Sequence, residues 1–307
     1  MKKRWTLILC ACLFPLMICL FVIYPANPTA DDLKPFSNQE QVIASIRQGL
    51  RDHAKNITVS FSCPAQNNNY IIREDLIAMA GDWIQEAMKE TDNETEGDYI
   101  YYQYGGYKIS CSRFQNAQDG RYIYTVRITP RYYTYLAQEE TVSEKLNEIF
   151  DTFAFSNSDS DYKKALVIYN YICRNVKYDE VHRKNIYYHL KSTAYAALIQ
   201  GAAGCQGYCV TLYRMFRRAG IPCRIVTGMG YGERGAEFHA WNIARVDGLW
   251  YCLDATWDAG KSESQYNWFL RGSARFDRHI PGDAFSDWDM AYPLSQEDYG
   301  DFLSMKS

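Results

Sequence analysis

The sequence predicts an α+β protein: two units behind an N-terminal apolar segment. Three observations predict it. Apolar residues at helical spacing mark Leu76, Ile77, Ala80, Trp83, Ile84 and Ala87 as one face of a helix. The β-rich runs that follow are separated by Gly-Gly and Asp-Gly turn signals. Near the C-terminal end, a helix-like run opened by Cys205 is followed by a hairpin signal at Asp247-Gly248.

The N-terminus comes first. Basic "MKKR" precedes Trp5–Tyr24, a twenty-residue run without a charged residue, and about 20 residues cross a bilayer. The cleavage candidates after Ala26 and Ala30 place Tyr24 and Pro28 at −3, which is poor for a cleavable signal. Residues 1–24 therefore read as a signal anchor with its basic end cytoplasmic and the rest outside. The alternative is a signal peptide cut near Ala26 or Ala30, giving a secreted protein. Pro-rich 25–37 reads as a linker.

Residues 38–155 read as a small α/β unit. Helices are expected over 38–52 and 73–90, with "NITVSF" as a strand between them. "YIYYQY", "YKISCSRF" and "RYIYTVRITPRYY" read as strands, and "SEKLNEIFDTFAF" as a helix. The tyrosine stripes could form a glycan or cell-wall platform, but the strand propensity of tyrosine accounts for them more simply. "SNSDSD" is the loop between units. Residues 156–307 form the second unit, with helices expected in "YKKALVIYNYICRNVKYD" and "TAYAALIQG".

A net charge of −3 with interleaved acidic residues, and no basic stripe, argues against a nucleic-acid partner. Of ten cysteines, Cys10, Cys12 and Cys19 lie in the apolar segment. The other seven mostly sit inside apolar runs and read as buried thiols rather than a disulfide scaffold.

Cys205 is the exception. Gly201 and Gly204 permit a tight turn before it, and Cys209, Leu212, Tyr213 and Phe216 then follow at helical spacing. Arg214, Arg217 and Arg218 suit the C-terminal half, and Gly220 ends the helix. Cys205 thus caps a helix N-terminus, where backbone N–H groups and the dipole favour a thiolate and can hold an oxyanion. Cys209 falls on the packing stripe. A base follows in "AEFHAWNIARVDGLWYCLDATWD". With Val246 opposite Leu249 across the two-residue turn, Trp241 faces Asp254, and His239 projects from the same face as a diagonal neighbour. A carboxylate there can fix the imidazole tautomer and stabilise an imidazolium.

These segments, "GCQGYCVTLYRMFRRAGIPCRIVTG" and "HAWNIARVDGLWYCLDATWD", resemble the transglutaminase-like superfamily over about residues 160–285. The resemblance implies a papain-like core in which the central Cys helix packs on an antiparallel sheet. It implies Cys205 as nucleophile, His239 as base and Asp254 as orienting acid, with no cofactor. The N-terminal unit and anchor resemble those of bacterial cell-surface members. Cys209 departs from the family pattern, which usually has a small residue there.

Further candidates carry weaker signals. Gln200 is a candidate oxyanion donor, although a polar helix end is the simpler reading. Trp241 and Trp257 are candidate walls of an acyl-binding groove or core residues. Asn242 falls on the opposite hairpin face and reads as structural. His182, His189 and His279 have no aligned partner. A zinc site from Cys205, Cys209 and His239 lacks a fourth ligand. The expected function is an exported cysteine acyl-transfer enzyme, a peptidase or amidase, or a cross-linker if an amine replaces water. Its partners are a protein or peptide substrate, cell-wall peptide among the candidates, and a membrane through the N-terminal segment. The alternative is a non-catalytic cell-surface binding module on the same fold.

Overall fold

The computed structural model describes residues 38–63, 71–233, 235–285 and 291–300. The expected anchor and linker lie outside these residues. No helix among the described residues is long and apolar enough to cross a membrane.

Helices α1 (Gln39–Arg51) and α2 (Arg73–Ala87) flank strand β1 (Ile57–Cys63). Asn38 caps α1 by accepting the Gln41 N–H. Strands β2 (Tyr104–Gln115) and β3 (Tyr122–Tyr132) join β1 in an antiparallel sheet of order β1-β3-β2. Val42, Ile46, Leu50, Leu76, Ile84, Val126 and Ile128 close one core between this sheet and the two helices. One expected strand is instead helical: "YIYYQY" supplies α3 (Asp98–Tyr102). Its tertiary setting overrides tyrosine's strand propensity. The Arg224 guanidinium pairs with the Asp98 carboxylate, and the Ile225 N–H donates to the same group.

A second core surrounds α6 (Cys205–Arg218). Helix α4 (Leu136–Phe153), before the boundary drawn at 155, buries Val142, Leu146 and Ile149 in it. Helix α5 (Asp161–Asn175) adds Ile168, Tyr169 and Ile172. The short strands β4 (Lys177–Tyr178) and β5 (Ala202–Ala203) pair in parallel just before α6. Where a regular helix was expected in "TAYAALIQG", Ala196–Gln200 forms a single π-helical turn. Helix α6 is more enclosed than an amphipathic surface helix, since every residue from Gln206 to Phe216 is buried. Arg214 has no solvent to reach. It donates to the Tyr99 hydroxyl and Ser143 Oγ and pairs with Glu94 and Glu139.

Strands β6 (Cys223–Gly232), β7 (Gly235–Val246), β8 (Leu249–Leu253) and β9 (His279–Pro281) form an antiparallel sheet of order β8-β7-β6-β9. The hairpin register is the expected one: Val246 pairs with Leu249 and Asn242 with Leu253. Asp247 and Gly248 both take positive φ, which suits the tight two-residue turn.

Candidate active site

Cys205 is the first residue of α6 and is half-buried. Gly204 precedes it as an N-cap without a side-chain cap, so the first-turn N–H groups are left to other partners. Gly207 lets the chain approach this end closely, because a Cβ there would lie 2.6 Å from the Lys191 carbonyl oxygen.

His239 on β7 lies near enough to the Cys205 thiol for each to shift the other's protonation. Its Nε2 lies 2.7 Å from Asp254 Oδ2. Asp254 follows β8, is 1% exposed, and is fully engaged. Its Oδ1 accepts the backbone N–H groups of Thr256 (2.9 Å) and Trp257 (3.2 Å). Oδ2 accepts from His239 and from His279 Nε2 at 3.0 Å. With Nε2 directed at the carboxylate, the other ring nitrogen of His239 is the one left to face sulfur.

The electrostatics follow from this arrangement. Burial alone would raise the Cys205 thiol, but the His239 hydrogen bond and charge, with a backbone bond at Ala240, hold it below its ordinary value. Burial alone would lower His239, yet the Asp254 carboxylate and then Cys205 push it well above an ordinary histidine. Asp254 is opposed by burial and held far below the usual carboxylate range by its two histidines. The favoured state at neutral pH is a thiolate–imidazolium pair beside a carboxylate. Cys209, one turn further in, is pushed well up by burial and then by the Cys205 charge.

Strand β6 makes room for this assembly. Gly228, Gly230 and Gly232 alternate along it, so one face carries no side chain there. A Cβ on Gly230 would sit 2.9 Å from His239 Cβ and 3.1 Å from its ring. A Cβ on Gly228 would lie 2.1 Å from the Ile280 carbonyl oxygen on β9. The two histidines therefore reach toward each other across bare backbone.

The sequence candidates separate here. Cys205, His239 and Asp254 come together. Trp257 stacks on His239 at 4.9 Å between ring centres and lines an open groove of about 700 Å³ with Tyr178, Phe238 and Trp268. Trp241, the other candidate wall, is buried in a small core with Val226 and Phe276. Gln200 is exposed at the end of its turn and is not among the groove residues. Buried Asn242 donates to the Cys209 and Arg224 carbonyls, the structural part expected of it. Two histidines expected to lack partners have them: His182 Nδ1 meets Asp179 at 2.8 Å, and His279 meets Asp254. Cys111, Cys173, Cys205, Cys209, Cys223 and Cys252 are unbridged.

Among the described residues, one group could hold a metal ion: His239, Asp254 and His279, with ligand atoms within 4.8 Å of one another. Both Nε2 atoms already bond to the same Asp254 oxygen, so an ion would have to displace both bonds. Cys205 and Cys209 are not in this group.

Residues 151–255 match the model of the transglutaminase-like superfamily, a span that includes Cys205, His239 and Asp254. The chain carries a transglutaminase-like domain. The kyphoscoliosis peptidase of Mus musculus is 30% identical over 176 residues, covering 51% of this chain and 26% of that protein. The Homo sapiens kyphoscoliosis peptidase is 28% identical over the same shares. The chain thus matches about a quarter of the length of these relatives. A crystal structure of a TGase is similar at 14% identity and a TM-score of 0.35, covering 68% of this chain and 53% of that one. The family match ends at residue 255, so the transglutaminase-like domain model does not reach His279.

Proposed function

We propose that this protein is a cysteine acyl-transfer enzyme acting on peptide or side-chain amides through a thioester. The observation that carries the reading is Cys205 at an uncapped helix N-terminus, coupled electrostatically to a histidine that a buried carboxylate holds at 2.7 Å. The Cys205 thiolate attacks the amide carbonyl carbon. First-turn N–H groups of α6 receive the negative oxygen. The C–N bond breaks as the imidazolium of His239 gives its proton to the departing amine, leaving a thioester. His239 then takes a proton from water, which attacks the thioester and releases the acid and the thiol. Asp254 keeps Nε2 occupied, so the proton moves at the nitrogen facing sulfur.

Hydrolysis is favoured over transfer to an amine because water needs no second binding site, and the matched relatives are named peptidases. The proposed substrate is a protein or peptide, with cell-wall peptide as a candidate. The proposed location is outside the cell, held by the uncharged Trp5–Tyr24 segment. The division into units at 38–155 and 156–307 belongs to the same proposal.

The chemistry is tested with a peptide vinyl sulfone, an electrophile resembling the amide. The full chain should be labelled at Cys205, and labelling should vanish in Cys205→Ala and drop steeply in His239→Ala. Equal labelling of several cysteines, indifferent to His239, leaves the binding-module reading in its place. Location is tested separately by adding protease to intact cells. A body protected from that protease would refute export.

A further inference from the structure

We propose that His279 is a positioning residue for this site: a neutral imidazole that donates Nε2–H to Asp254 and fixes the carboxylate that holds His239. This rests on the Cys205–His239–Asp254 reading. Three observations carry it.

The first is convergence. His239 Nε2 and His279 Nε2 meet the same Oδ2 atom, at 2.7 and 3.0 Å, while the other oxygen is held by two backbone N–H groups. Four bonds leave the carboxylate no alternative rotamer of equal energy. Without His279, Oδ2 loses one of its two anchors.

The second is the tautomer. A carboxylate accepts, so His279 Nε2 must carry hydrogen. Its Nδ1 is buried and has no hydrogen-bond partner. A second proton there would bury an unpaired N–H, at a cost a neutral ring avoids. Burial lowers the His279 value in the same sense, with the His239 charge adding to it, although the Asp254 bond and charge oppose it. The charged or titratable groups facing His279 are Asp254, His239 and Asp277, while Cys205 faces His239 from α6. His279 therefore strengthens the hold on Asp254 without adding a second positive charge that would compete with the imidazolium of His239.

The third is enclosure. The His279 ring stacks on Phe276 at 3.9 Å and contacts Trp257, Trp241 and Trp268 at 4.3, 5.0 and 5.0 Å. This aromatic wall keeps water from replacing the His279 donor. Gly228 admits β9 to β6, and Gly230, paired with His279, leaves the face between the two rings open.

The test measures alkylation of Cys205 by iodoacetamide against pH, read by mass spectrometry on the full chain. His279→Phe keeps the ring and removes the donor. His279→Gln retains an N–H near the Nε2 position. His279→Phe should slow Cys205 alkylation at neutral pH by about tenfold and move its acid limb upward, because the imidazolium is less well held. His279→Gln should stay within about twofold of the parent, since a merely space-filling role would favour Phe over Gln. Equal rates for His279→Phe and the parent, with Asp254→Ala slow, would overturn the role of His279 and leave the triad reading intact. No effect of Asp254→Ala would overturn the triad reading itself. If His279→Phe does not fold, histidine ¹⁵N resonances of the parent decide. Nε2 protonated and Nδ1 bare from about pH 5 to 8 is expected, spanning the ordinary histidine value. An imidazolium or the Nδ1–H tautomer overturns the proposal.

Discussion

The two antiparallel sheets differ most at their interior strands. In the three-stranded sheet, β3 fills one face with Tyr124, Val126 and Ile128, each buried against α1 and α2. In the four-stranded sheet, β6 places Gly228, Gly230 and Gly232 at alternate positions on the face that holds His239 and His279. The first strand contributes stability through buried apolar area. The second gives up that area, along with strand propensity, for a lane where polar side chains from neighbouring strands can meet. Interior strands of similar length thus serve packing in one sheet and positioning in the other.

The sharpest way to break this contrast is Gly230→Val. The added methyls collide with the His239 Cβ and ring, and displacing the base by about 1 Å should slow Cys205 chemistry about a hundredfold. The measurement is Cys205 alkylation at neutral pH alongside a thermal melt. Parent-like reactivity would mean that the bare lane is not needed.

The converse belongs to the other sheet. Ile128→Ala empties a buried position in the first core and should cost about 2–5 kcal/mol of stability. It should leave the alkylation rate of Cys205 in the folded protein unchanged. Denaturant unfolding and alkylation together check this, and a fall in both would show that the two sheets are energetically one.

The smallest effect lies at the seam between them. Glu90, just beyond α2, reaches Arg224 on β6 at 2.6 Å. Burial, then Asp98, pushes the Glu90 carboxyl up to about 7, against the pull of Arg224 and Arg217. A raised folded value means the folded chain binds this proton more tightly than the unfolded chain. Stability from this group is therefore present below its unfolded value and is lost as pH rises toward 7. Glu90→Gln should flatten that decline in melting temperature. An unchanged slope would assign the decline to other groups.

Much of this was legible in the sequence, for identifiable reasons. The Asp247-Gly248 turn fixes the β7–β8 register, and register alone places His239 and Asp254 on one face. Glycines before Cys205 and the apolar stripe after it locate the start of α6. Other features depend on contacts between distant segments. Tyr99–Tyr102 carry strand propensity yet form a helix. Arg214 reads as a surface residue and is 2% exposed among partners from α3 and α4. The two aspartates of "DATWD" look equivalent, but Asp258 holds the Asn267 and Trp268 backbone while Asp254 meets the histidines. His279 lies 25 residues beyond Asp254; it falls inside the span of the resemblance, but no turn signal sets its register against the hairpin, so spacing alone could not bring it to Asp254. The period-two glycines of "TGMGYG" were the one available hint that something must cross β6.

The most direct measurement of the central claim is the pH–rate profile for alkylation of Cys205 and Cys209 in the same sample. Cys205 is held below its ordinary value by His239, and Cys209 is pushed above its own by burial. Cys205 should therefore react as a thiolate well below the free-cysteine value of about 8.5, losing reactivity only on the acid side as the thiolate is protonated. Cys209 should stay unreactive until the protein unfolds. His239→Ala should return the Cys205 profile toward that of an ordinary thiol. Profiles for Cys205 and Cys209 that coincide, or a Cys205 profile that His239→Ala leaves unmoved, would contradict an activated nucleophile at the start of α6.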